Sequence, residues 1–136
     1  MVSEKRIYFA SDILLARRWR ELRESWAPLV EVTSSWIDEP NLTNEITVDP
    51  PTMRDNWVRN ISDVKRSTLL LCYNLVRPGG QGRFVEVGVA LASDIPVYAV
   101  GSLLTWIHHP LVTLGASDAE MNEFLDAWRK EGASNA

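Results

Sequence analysis

Short apolar runs alternate with stretches of helical period along this chain. Residues 6–10, Arg-Ile-Tyr-Phe-Ala, predict a first strand. Ser11 and Asp12 then offer an N-cap. Beyond them Ile13, Leu14, Ala16, Trp19, Leu22 and Trp26 recur at helical spacing, with Arg17, Arg18, Arg20, Glu21, Arg23 and Glu24 around the other face. Pro28 ends that helix, and residues 29–33 read as a second strand. Residues 34–51 follow neither period and hold Pro40, Pro50 and Pro51; a loop this long in a compact domain is often functional. A helix over 52–66 follows, striped by Trp57, Val58, Ile61 and Val64, and then the apolar strand 69–73. A glycine-rich loop over 74–82, a helix over 83–92 closed at Asp94, and a strand over 95–100 come next. Residues 101–110 read as a loop or short helical turn, and residues 111–113 as a short edge strand. Ser117-Asp118-Ala119-Glu120 is a capping box that starts the last helix, through Met121, Phe124, Leu125 and Trp128.

Strands that alternate with helices bury their apolar residues best in a parallel sheet covered on both faces. The pattern therefore predicts an α/β fold: a three-layer α/β/α sandwich, flavodoxin-like or Rossmann-like, with a central, mostly parallel sheet of four or five strands. All 136 residues read as one domain. In such sheets ligands bind beyond the carboxyl ends of the strands. Those ends carry Ala10-Ser11-Asp12, Ser34-Ser35-Trp36, residues 74–82 and Gly101-Ser102.

Composition narrows the function. A net charge of −4 argues against a nonspecific binder of polymeric nucleic acid, which shows a basic face, but leaves room for a basic pocket around one small anion. The single cysteine, Cys72, lies inside an apolar run, so neither a disulfide framework nor zinc spacing is present. The adjacent His108 and His109 make a poor metal site without further ligands. The chain shows no membrane-length apolar stretch and no signal-type leader, and a cytoplasmic location is expected.

Gly79-Gly80-Gln81-Gly82 feeds a helix N-terminus, where backbone amides favour an anion and glycine allows close approach. The turn is neither a P-loop nor a dinucleotide fingerprint, and a plain surface turn stands beside the anion reading. Glu86 is the one charged residue between Phe84 and Ala92. It either faces solvent, paired with Arg83 and helped by the helix dipole, or serves a site.

Residues 5–11 (Lys-Arg-Ile-Tyr-Phe-Ala-Ser), 30–36 (Val-Glu-Val-Thr-Ser-Ser-Trp), 61–71 (Ile-Ser-Asp-Val-Lys-Arg-Ser-Thr-Leu-Leu-Leu), and Gly79-Gly80 through Arg83-Phe84-Val85-Glu86-Val87-Gly88-Val89-Ala90 occur in an order and spacing that resembles the nucleoside 2-deoxyribosyltransferase family, including its relatives that hydrolyse nucleoside 5′-monophosphates. The last of these is similar to the family's glycine turn and E-x-G-x-A helix. The resemblance implies an enzyme that cleaves an N-glycosidic bond. Glu86 attacks C1′ of a (deoxy)ribose as the base leaves, and a second base or water resolves the glycosyl ester. Transfer of deoxyribose between bases is the first expectation. Hydrolysis of a (deoxy)nucleoside 5′-monophosphate and a non-catalytic nucleotide-binding module are the alternatives.

Tyr8 is a candidate for orienting Glu86 through its hydroxyl, with a tyrosine packed in the core as the other reading, and the resemblance implies an aspartate ahead of the third strand as the acid. Asp63 and Asn60 both fall near that place, and Asp55 is a further acid on the same helix. Thr68 and Arg77-Pro78 stand where the family often has other residues. Ser11, Arg17, Arg83 and the backbone of Gly79 and Gly80 are candidates for holding substrate or its phosphate. Trp36, with Trp57 and Trp106, is a candidate for stacking on a base, and core packing is the other reading for each. The implied chemistry needs neither organic cofactor nor metal. The expected partners are a small nucleoside or nucleotide and further copies of the chain in a homodimer or larger homo-oligomer, with no membrane.

Overall fold

The computed structural model describes residues 4–39, 49–75, 81–101 and 105–131. Five strands, β1 (Arg6–Ala10), β2 (Glu31–Val32), β3 (Leu69–Tyr73), β4 (Val97–Val100) and β5 (Val112–Gly115), form one sheet in the order β2-β1-β3-β4-β5. Every pairing is parallel, as the βαβ pattern requires. Four helices, α1 (Ala16–Trp26), α2 (Pro50–Lys65), α3 (Gln81–Ala92) and α4 (Asp118–Lys130), supply the crossovers and the last cover. The central strands β1, β3 and β4 are almost wholly buried, which explains why they read as unbroken apolar runs.

Register sorts their side chains onto two faces. Tyr8 pairs with Leu70 and Leu70 with Val97, while Cys72 pairs with Ala99; these residues share the face covered by α2 and α3. Phe9, Leu71, Tyr73 and Tyr98 share the other. There Phe9 stacks on Trp19 of α1 at 4.5 Å between centroids, and Tyr98 stacks on Phe124 of α4 at 4.0 Å.

Several predicted boundaries move, each for a local reason. The second strand shrinks to Glu31–Val32, yet the backbone of β1 stays satisfied beyond it. The Phe9 amide donates to the Ser34 hydroxyl at 3.1 Å, and the Trp36 indole donates to the Phe9 carbonyl at 2.8 Å. Side chains here take over from the strand ladder. A short 3-10 turn over Ser35–Asp38 occupies part of the predicted loop. Helix α2 begins at Pro50 because prolines in a first turn give up amides that have no helical partner anyway; Asp49 caps the turn by accepting from the Thr52 amide at 3.2 Å. Asp94, at φ 58°, ends α3 in the left-handed region that Asp tolerates better than most residues. The capping box forms with a shift: Ser117 accepts from the Glu120 amide, and the Glu120 carboxylate reaches the Ala116 amide instead of that of Ser117.

Candidate functional site

Glu86 sits one turn and a half into α3, a helix that packs on β1, β3 and β4. Its side chain points into the molecule and is 7% exposed, so the solvent-facing reading of this residue fails. Tyr8, fully buried in the middle of β1, donates its hydroxyl to Glu86 Oε2. Burial pushes the Tyr8 phenol well above its ordinary pKa, and the Glu86 charge and hydrogen bond push in the same direction. Tyr8 is therefore a permanent donor, and a carboxylate is the acceptor it suits. The Asp63 charge on α2 adds to the rise of the Tyr8 phenol and the Arg59 charge opposes it.

Asp63 is buried and accepts three hydrogen bonds. Its Oδ2 accepts from the Ser35 amide at 3.1 Å and from the Ser35 hydroxyl at 2.5 Å; its Oδ1 accepts from Arg66 at 3.0 Å. Three donors around one carboxyl suit an acceptor that pins α2 to the exit of β2. The same arrangement gives little opening for Asp63 to donate a proton. Asn60 is half-buried, and its Oδ1 accepts from Arg59 at 3.4 Å. Asp55 is exposed.

Arg83 is buried beneath the site. Its Nη1 donates to the Tyr73 carbonyl at 2.9 Å and to Asn74 Oδ1 at 2.7 Å, which ties α3 to the end of β3. The Cys72 thiol lies on this face, where burial pushes its pKa up to about 12; a thiol so held is no nucleophile at neutral pH.

Other predicted residues lie in different settings. Ser11 accepts from the Trp19 indole at 2.7 Å and donates to the Asp12 carbonyl, which anchors the start of α1. The Arg17 side chain is 84% exposed and pairs with Glu21 one turn on, a solvated helix face. Trp36 is buried with its indole N–H committed to β1. Trp106 is half-buried against Phe84 of α3 at 5.8 Å. Gly79 and Gly80 fall outside the described residues. Arg59 is the residue that sequence reasoning passed over. One of two arginines in an amphipathic helix carries no signal until the fold shows its partners, here Glu39 and Asn60.

No protein-family model and no curated protein matches the sequence. Solved structures do match the fold. The CMP N-glycosidase BcmB of Clostridium botulinum aligns with a TM-score of 0.54 at 15% identity, over 90% of this chain and 98% of that one. A conserved protein from Enterococcus faecalis V583 aligns with a TM-score of 0.53 at 19% identity, over 94% of this chain and 76% of that one. The chain thus shares the α/β sandwich of these proteins across nearly its whole described length.

Proposed function

We propose that this protein cleaves the N-glycosidic bond of a nucleoside or nucleotide through a covalent ester between Glu86 and C1′ of the sugar. The observation that carries the proposal is the buried Tyr8–Glu86 pair. A buried carboxylate on a helix otherwise apolar from Phe84 to Ala92 is costly to keep, and such groups cluster where they serve chemistry. The pair's place on a sandwich shared with a CMP N-glycosidase supports the reading. In the first step the C1′–N bond breaks, its electrons leave with the base, and Glu86 closes on C1′. In the second, water or another base attacks C1′ and frees Glu86. Tyr8 orients the carboxylate, Asp63 braces α2 and the β2 exit, and Arg83 fixes the start of α3.

The transferase and hydrolase versions share this first step and differ in what resolves the ester. The assay incubates the protein with deoxynucleosides, 5′-deoxynucleotides and CMP, with and without an acceptor base, and follows products by chromatography. Base exchange assigns a transferase, and free base from nucleotides alone assigns a hydrolase. Glu86→Gln, which keeps a hydrogen-bond acceptor for Tyr8, is expected to abolish turnover; an active Glu86→Gln would falsify the nucleophile. The engagement of Asp63 favours one other reading, a nucleotide-binding module without turnover, marked by saturable binding and no product.

The proposed homo-oligomer draws support from the outer faces of α2 and α3. Val58 is 66% exposed and Val85 51% exposed, and α3 presents no charged side chain to solvent among its described residues. Outer helix faces of monomers are ordinarily polar. Val85→Lys is expected to lower the mass seen by sedimentation equilibrium; a wild-type chain that sediments as a monomer refutes the assembly.

A further inference from the structure

The proposed reaction leaves one task without a residue. A base that departs with the electrons of the C1′–N bond carries negative charge, and it needs a proton or a cation to meet it. Asp63 is occupied as an acceptor from Ser35 and Arg66, and Asn60 has no acidic proton to give. Arg59 lies one helical turn before Asp63 on α2, so both project from the same side of the helix. Its partner Glu39 ends the turn that leaves β2, and α2 packs on both that turn and α3, which places Arg59 at the carboxyl end of the sheet on the side of Glu86.

Arg129, far from the site, shares a buried Nε of this kind, so the setting of Arg59 matters through its place. The side chain is 30% exposed. Nη1 is held by Glu39, and Nη2 makes a long contact of 3.4 Å with Asn60. Nε is buried and, among the described residues, has no hydrogen-bond partner. An unsatisfied buried donor on a charged group is expensive to keep, and such groups call for an explanation. Glu39 holds the guanidinium from one side, and the contact with Asn60 is too long to fix it strongly. That leaves Nε and Nη2 as donors for an incoming acceptor.

Resting on the N-glycosidase reading, we infer that Arg59 stabilises the departing base, meeting its developing negative charge with guanidinium N–H donors in place of a general acid. The electron pair of the C1′–N bond goes to the base nitrogen, and Glu86 forms the new bond to C1′. Arg59 keeps its own protons, donating hydrogen bonds only, and water protonates the base on release. A cation aimed at developing charge in a water-poor site is an effective catalyst, and an arginine remains charged throughout.

The test varies the leaving group. Wild type and Arg59→Ala are assayed on pyrimidine 5′-nucleotides beside their 5-fluoro derivatives, and on purine 5′-nucleotides beside their N7-methyl derivatives. The derivatised bases leave with less negative charge, or none. Arg59→Ala is expected to lower kcat/KM on a parent nucleotide by about 10²-fold or more, and on its better-leaving derivative by under about 10-fold. Added guanidinium ion is expected to restore part of the loss on the parent. Equal losses on parent and derivative, with a circular-dichroism spectrum like that of wild type, overturn the inference and leave the N-glycosidase reading standing. Failure of wild type to release base from any of these nucleotides or from the corresponding nucleosides, with and without an acceptor base, overturns both. Should Arg59→Ala fail to fold, Arg59→Lys carries the same comparison: it keeps the charge, loses the fork, and should again lose more on the parent.

Discussion

Removing the Tyr8 hydroxyl tests the centre of the site with the smallest perturbation. Tyr8→Phe keeps a ring that is fully buried in β1, so packing is nearly unchanged. What disappears is one hydrogen bond to the buried Glu86 carboxylate. A bond to a charged acceptor contributes about 1.5–3 kcal/mol, which corresponds to about 10- to 150-fold in a rate or equilibrium constant. Two effects then oppose each other. Without the donor, Glu86 becomes more basic and intrinsically more nucleophilic, but a Brønsted response returns only part of the lost energy as rate. The carboxylate also loses a donor that helps fix its rotamer, and a displacement of about 1 Å at a reacting atom can cost about 10²-fold. Orientation should dominate. The expected result is a kcat for base release lower by about 10- to 10²-fold with KM little changed, read by single-turnover and steady-state chromatographic assays. Thermal unfolding gives a second readout: for a chain of this length about 3–5 °C of Tm is expected per kcal/mol lost. Unchanged kcat together with unchanged Tm refutes the reasoning, because the phenol–carboxylate bond then has no energetic weight in either state.

Other consequences are equally open to measurement. The Cys72 pKa is raised to about 12, so the stability it contributes is fully present below its unfolded value and is lost as pH rises through about 12; the Tyr8 shift has the same sign. Cys72→Ala should therefore flatten the fall of Tm above about pH 9, and wild-type Cys72 should resist iodoacetamide at neutral pH until the chain is unfolded. Ser35→Ala removes a 2.5 Å donor from buried Asp63 and is expected to lower stability by about 1.5–3 kcal/mol in urea titrations; no change would separate Asp63 from the bracing of α2. Gly88 is exposed on α3, and a Cβ there meets nothing within 4 Å. Gly88→Ala should thus raise helix stability by about 0.5–1 kcal/mol, and a lower Tm would refute that expectation. Asp118 accepts from Tyr73 and Arg18, which hold its carboxyl below the usual range. Its contribution is present above the unfolded carboxylate pKa and lost as pH falls through the lowered value, so Asp118→Asn should differ from wild type in Tm at neutral pH and converge with it in acid.

Much of the fold was legible because it rests on local rules. Apolar runs such as 69–73 have no polar position to turn outward, so they must be strands covered on both faces, and the helical stripes between them force parallel crossovers. Where local rules were overridden, the reason lies in partners distant in sequence. The strand expected at 29–33 shortens because Ser34 and Trp36 satisfy β1 through side chains, an exchange no periodicity records. Arg17 and Arg83 looked alike as candidate anion holders, yet one pairs with Glu21 in solvent and the other is buried against the end of β3.

The sequence by itself determined that Glu86 is the one charge between Phe84 and Ala92 of a helix, and that the helix follows a buried strand of a parallel sheet. Hydrophobic period and chain order suffice for both. Only the tertiary structure decided which way that carboxylate faces, because the direction depends on Tyr8, far away in sequence, being turned by the β1 register to the α3 face. It likewise decided the surroundings of the pair. Asp63 is held by Ser35 and Arg66, while Arg59 retains a buried donor beside it, and those environments arise only where β1, the β2 exit and α2 are packed together.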